Sequence, residues 1–116
     1  MSPIVTAAVL LVIVLHVGFF VLESVMWARP LGRKIFELSV EDAEATKVLA
    51  LNQGFYNLGA AAMLCAALYG GHMEAIIGLL VFLFFMGLVG GVTANKSILL
   101  FQSLPAAIAA AAVIYL

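Results

Sequence analysis

Two titratable side chains lie inside the first apolar stretch of the chain, and they are the residues best suited to chemistry. His16 and Glu23 are seven residues apart, which places them on one face of a regular α-helix, about 10 Å apart along its axis. Glu23 is the only carboxylate within any apolar stretch. A carboxylate and a histidine in a low-dielectric environment can exchange a proton or bind a ligand's ammonium or hydroxyl group. His16 and Glu23 are therefore the candidate catalytic residues and also candidate ligand contacts.

Neutral polar side chains occur at a similar predicted depth in two later apolar stretches. Gln53 and Asn57 are four residues apart and share a helical face, while Asn52 and Tyr56 share the neighbouring face. Gln102 lies in the last apolar stretch. Because groups of similar depth can line one polar pocket, the predicted ligand-binding residues are His16, Glu23, Asn52, Gln53, Tyr56, Asn57 and Gln102.

The composition around these residues predicts a membrane protein. Of the 116 residues, 66% are hydrophobic and 9% are charged, and the mean hydropathy is +1.26. Such a chain lacks the polar residues that a soluble surface needs. A spanning helix needs about 20 apolar residues, and four such stretches fill the chain. We predict one domain over residues 1–116. It is all-α, an integral membrane four-helix bundle with short loops and spans at about 3–27, 47–69, 75–92 and 98–116.

Local signals refine these elements. Ser39 can cap a helix that meets no breaker until Gly70, so the second helix should begin before its apolar part. Pro105 removes one helical hydrogen bond and predicts a kink in the fourth helix. Residues at about 28–46 form an amphipathic cytoplasmic segment in which Leu31 and Ile35 alternate with basic residues.

All basic residues fall in the connections between the first and second spans and between the third and fourth spans. Such a bias places these connections in the cytoplasm and both termini on the outer side. We therefore predict a multi-pass protein of the bacterial inner membrane whose cytoplasmic bases are Arg29, Arg33, Lys34, Lys47 and Lys96.

Several classes of site are not expected. The net charge of −1 gives no basic surface for nucleic acid. Cys65 is the only cysteine, so there is no disulfide pair and no zinc-ligand spacing. One histidine and one carboxylate in the spans are a poor ligand set, so we expect no metal and no cofactor.

Three functions remain open. The preferred hypothesis is a protein that binds, or also transports, a small amphipathic molecule or lipid in a polar pocket in the cytoplasmic half of the bundle. The second is an acid–base enzyme acting on a lipid-like substrate, which we favour less because no nucleophile motif is present. The third is a structural or assembly subunit, with homo-oligomers formed through Gly and Ala faces and the polar groups serving as interhelical hydrogen bonds. In a further alternative, Glu23 reaches the interface and pairs with Arg29 or Arg33.

Several runs of residues carry a family resemblance. They are Leu15-His16 with Glu23 and Trp27, Pro30-x-Gly32-Arg33-Lys34-x-Phe36, Glu44-x-Thr46-Lys47-Val48-Leu49-Ala50-x-Asn52-Gln53-Gly54-x-Tyr56-Asn57, Gly91-x-Thr93 and Gln102-x-x-Pro105-Ala106. The chain resembles a family of small bacterial membrane proteins, the domain of unknown function thirteen hundred and four. This resemblance covers nearly the whole chain and implies a four-helix membrane fold. It implies no activity.

Overall fold

The protein is all-helical. The computed structural model describes residues 1–116 and contains five α-helices and no β-strand. The α-helices are α1 (Pro3–Phe20), α2 (Pro30–Phe36), α3 (Val40–Gly70), α4 (Met73–Thr93) and α5 (Leu104–Tyr115). Two π-helical segments interrupt the regular pattern. The first π segment, Val21–Val25, follows α1, and the second π segment, Leu99–Ser103, precedes α5.

The long helix α3 begins and ends where its sequence signals predict. Ser39 Oγ accepts a hydrogen bond from the backbone N–H of Asp42 at 3.0 Å, which is an N-terminal cap. The helix runs to Gly70, and Gly71 follows with a φ of 70°, a left-handed conformation that glycine adopts without strain. The predicted helix, which starts well before its apolar part, is therefore present.

The last apolar stretch departs from a regular α-helix directly before Pro105, where the second π segment lies. Pro105 is the second residue of α5, and Leu104 donates its backbone N–H to the carbonyl of Leu99, five residues earlier. A proline has no N–H and its ring crowds the preceding turn. The wider π-helical turn directly before Pro105 accommodates this residue in an otherwise continuous helix.

The chain forms two compact units. Unit 1 contains residues 1–15 and 61–116, and unit 2 contains residues 16–60. In unit 1, buried residues recur every three or four positions, so each helix gives one apolar face to the core. These residues are Val5, Val9, Val12, Leu64, Ile76, Leu80, Leu83, Ala106, Ala109 and Val113.

Unit 2 is built from the end of α1, the first π segment, α2 and the N-terminal two thirds of α3. Its buried positions on α3 are Ala43, Ala50 and Gly54, all small. Small residues let another backbone approach a helix closely. This unit contains Glu23 and Asn57, and therefore positions the candidate site.

Large apolar side chains are exposed on all five helices, among them Ile4, Leu31, Leu49, Val92 and Ile108. By length and composition, two helical stretches are able to cross a membrane, Pro3–Val25 and Met73–Thr93, and the apolar stretch Leu99–Tyr115 is shorter. Extensive exposed apolar surface is unusual for a soluble monomer and marks contact with lipid or with another protein.

Candidate functional site

The candidate site is centred on Glu23 in the first π segment. Its Oε1 accepts a hydrogen bond from Asn57 Nδ2 on α3, with the two atoms 2.5 Å apart. The side chain of Glu23 is half-buried, and its second oxygen, Oε2, makes no hydrogen bond or ion pair with the protein. One oxygen is therefore fixed, while the other can accept a hydrogen bond from a bound molecule.

Glu23 is not paired with a base. The single ion pair in the structure joins Lys47 Nζ and Glu44 Oε2 at 3.7 Å, and both side chains are exposed. The alternative in which Glu23 pairs with Arg29 or Arg33 is therefore wrong for this structure.

Ser24 fixes the backbone beside Glu23. Its Oγ donates a hydrogen bond to the backbone carbonyl of Leu51 on α3 at 2.9 Å. Gly54 lies one turn further along α3, and a methyl group added there would overlap the Ser24 hydroxyl. The first π segment and α3 are therefore held in close contact at this point, which places Glu23 within reach of Asn57.

The other predicted contacts on α3 are not held by the protein. Asn52, Gln53 and Tyr56 are exposed, Tyr56 by 77%, and none of their side chains makes a hydrogen bond within the protein. Among the α3 residues named from the sequence, only Asn57 forms a hydrogen bond with Glu23. The side chains of Asn52, Gln53 and Tyr56 lie in the same unit as Glu23 and are accessible to a ligand.

His16 is buried, with 1% of its side chain exposed, and its ring lies edge-on against Phe19 with centroids 5.0 Å apart. The prediction that His16 and Glu23 share a face assumed a regular α-helix. The first π segment begins at Val21, between the two residues, and changes the angular spacing. The hydrogen-bond partner of the Glu23 side chain is Asn57 on α3.

Gln102 has a partner inside unit 1. Its Nε2 donates to the backbone carbonyl of Leu83 on α4 at 3.0 Å. The neighbouring Ser103 donates its Oγ to the carbonyl of Phe84 at 3.0 Å, beside Gly87, where an added methyl group would overlap the serine hydroxyl. Gln102 therefore connects the second π segment to α4 through a hydrogen bond, as Ser103 does.

Neither of the two serines was among the predicted site residues. Ser24 directly follows Glu23, and Ser103 directly follows Gln102, so each serine is the neighbour of a polar residue inside an apolar stretch. This adjacency to a polar residue is the sequence feature that could have identified the two serines. Each serine lies in a π segment. Residues 21–25, which form the first π segment, contain no sequence feature that predicts it.

Taken together, the helices and the site define a small all-helical protein with extensive exposed apolar surface and one half-buried carboxylate held by an amide. The chain belongs to the family described as "Protein of unknown function (DUF1304)", whose family model matches residues 10–114. The resemblance drawn from the residue motifs is therefore confirmed. No curated protein and no solved structure matches the chain.

Proposed function

We propose that this chain is a four-span integral membrane protein of the bacterial inner membrane that binds a small amphipathic molecule at Glu23. The membrane location is supported by the 66% hydrophobic composition and by the large apolar side chains exposed on every helix. The long helix α3 and the continuous stretch formed by the second π segment and α5 supply the two further spans. In this arrangement the five bases face the cytoplasm and both termini face outward.

The observation that carries the binding proposal is the hydrogen bond between Glu23 and Asn57. A carboxylate in a spanning helix is costly, so its presence is by itself a reason to expect a function. Asn57 satisfies one carboxylate oxygen and fixes the orientation of the group. The second oxygen is then positioned to accept a hydrogen bond from a ligand without any rearrangement of the protein.

The chemistry of the site indicates the class of ligand. A carboxylate oxygen binds a primary ammonium most strongly, and a hydroxyl more weakly, through a donated hydrogen bond. Asn52, Gln53 and Tyr56 are exposed on α3 in the same unit and offer neutral hydrogen bonds. The exposed apolar side chain of Phe55 gives an apolar contact beside them. The proposed ligand therefore has a hydrogen-bond-donating head group and an apolar tail.

The proposal is tested with dodecylammonium as the probe and the protein in phosphatidylcholine nanodiscs. Trp27 is the only tryptophan and lies in the same unit as Glu23, so its fluorescence reports binding against empty nanodiscs as background. We expect saturable binding by the wild type and roughly tenfold weaker binding by Glu23→Gln, the effect of losing one charged hydrogen bond.

Two controls sharpen this experiment. Dodecyltrimethylammonium has the same charge and tail but no N–H group, and it should bind the wild type more weakly than dodecylammonium does, because it cannot donate a hydrogen bond to Glu23. The variant Glu74→Gln removes an exposed carboxylate of unit 1 and should bind dodecylammonium as the wild type does. Equal affinity of wild type and Glu23→Gln for dodecylammonium would overturn the proposal.

A further inference from the structure

The short helix α2 is held rigidly by aromatic and backbone contacts. The Trp27 ring lies against Phe36 with centroids 4.7 Å apart, and its Nε1 donates to Thr46 Oγ1 on α3 at 3.0 Å. Gly32 packs directly on the backbone carbonyl of Met26, where any side chain would overlap it. Both ends of this two-turn helix are therefore fixed to unit 2.

The segment 28–38 contains more bases than acids. It contains three bases, Arg29, Arg33 and Lys34, and one acid, Glu37. None of them forms an ion pair, because the only ion pair of the structure lies within α3. The Nε of Arg33 is buried without a hydrogen-bond partner. A held, basic helix whose charges have no partner in the protein is suited to an external anion.

Apolar side chains accompany these bases on the same helix. Leu31 and Ile35 are 53% and 47% exposed and are four residues apart, so they share a face. Arg33 lies on the opposite side of the helix at about 100° per residue, and Arg29 precedes it by one turn. The helix therefore carries an exposed apolar pair on one side and an arginine pair on the other, a distribution typical of a helix that lies at the boundary between lipid head groups and acyl chains.

We propose that α2 forms a binding site for an anionic phospholipid, with Arg29 and Arg33 on the phosphate and with Leu31 and Ile35 against the acyl chains. A guanidinium binds phosphate through two parallel hydrogen bonds, which the point charge of a lysine cannot reproduce. The exposed apolar pair favours a lipid over a free phosphate ester. This inference rests on the proposed membrane location and is independent of the Glu23 site.

The test is native mass spectrometry of the full-length protein released from vesicles of phosphatidylcholine mixed with phosphatidylglycerol. We expect the wild type to retain phosphatidylglycerol in preference to phosphatidylcholine. The double variant Arg29→Lys, Arg33→Lys keeps both charges and therefore the orientation in the membrane. It should retain roughly tenfold less phosphatidylglycerol, as expected when a bidentate contact is lost.

The controls separate a lipid site from general charge attraction. Lys47→Gln removes a base outside α2 and should leave retention unchanged. Leu31→Ser combined with Ile35→Ser should lower phosphatidylglycerol retention, and added glycerol phosphate should not displace the lipid. Equal retention by wild type and the double lysine variant, or no preference for phosphatidylglycerol, would overturn the inference. A protein that fails to enter vesicles at all would instead overturn the proposed membrane location.

Discussion

Ser24 and Ser103 occupy the same position relative to a neighbouring helix. Each lies in a π segment and donates its hydroxyl to a backbone carbonyl three residues before a buried glycine, Gly54 in one case and Gly87 in the other. The two contacts lie in different compact units. The same contact therefore occurs twice in the chain. A serine in a π segment packs against a glycine of a neighbouring α-helix and donates a hydrogen bond to that helix.

The two serine contacts differ in the residue that precedes the serine. Glu23 precedes Ser24, and Gln102 precedes Ser103. Both side chains form a hydrogen bond to the helix that carries the glycine, Glu23 as acceptor and Gln102 as donor. The contact therefore forms with a neutral amide side chain before the serine, and it does not require the carboxyl group of Glu23.

The variant Glu23→Gln should fold normally. The amide oxygen of glutamine can still accept the hydrogen bond from Asn57, so we expect the free energy of unfolding to change by less than about 1 kcal/mol. Unfolding in mixed detergent micelles measures this quantity. A loss of several kcal/mol would show that the carboxylate is itself needed for folding and would remove this variant as a clean test of binding.

Ser24→Ala and Ser103→Ala should each lower the free energy of unfolding by about 1 kcal/mol, because each removes one interhelical hydrogen bond of similar geometry. The same unfolding experiment compares the two variants and their combination. Their effects should add, since the two contacts share no residue. A measurable cost in only one variant would contradict the equivalence of the two contacts.

Gly54→Ala and Gly87→Ala should lower the free energy of unfolding by about 1–3 kcal/mol, because the new methyl group overlaps a serine hydroxyl. Gly59 and Gly78 are the matched controls, since nothing lies within 4 Å of a methyl group at either position. Alanine at these two helical sites should stabilise the protein by about 0.5–1 kcal/mol. The same sign at all four positions would contradict the proposed close approach.

The double variant Ser24→Ala, Gly54→Ala should be less destabilised than the sum of its single variants. Removing the hydroxyl takes away the atom nearest to the added methyl group, although the Cβ of residue 24 still lies at 3.0 Å. A double-mutant cycle on the free energies of unfolding measures this coupling. The combination of Ser24→Ala with Gly87→Ala serves as the control and should be additive.

Trp27→Phe should loosen α2 without disrupting the rest of the fold. Phenylalanine can keep the ring contact with Phe36 but cannot donate to Thr46. We expect faster trypsin cleavage after Arg33 and Lys34, measured by mass spectrometry of the fragments, with the far-ultraviolet circular dichroism unchanged. Phe82→Leu, which changes an exposed ring of α4, should leave this cleavage rate as in the wild type.

The main helices could be predicted from the sequence because their signals are local. The cap at Ser39, the break at Gly70-Gly71 and the apolar stretches each depend on a few neighbouring residues. The short helix α2 was predicted as an amphipathic segment, but its helical form depends on packing of Trp27 and Phe36, which join positions nine residues apart. Such contacts cannot be deduced from periodicity.

The candidate site was predictable in part. The cost of a carboxylate in an apolar helix singled out Glu23, and helical spacing singled out Asn57. The role of Gln102 was not predictable, because it depends on a π segment that shifts the helical phase. Residue types within 21–25 do not distinguish a π-helical turn from an α-helical one.

The first π segment also affects how related chains should be compared. A π-helical turn takes one residue more than an α-helical turn, so it behaves as a single-residue insertion that leaves the helix continuous. A relative lacking that residue would have His16 rotated by about 100° about the helix axis relative to Ser24. Alignments within the family should therefore allow a one-residue gap at 21–25. Without it, the glutamate of one chain would be matched to a residue on another face of the helix.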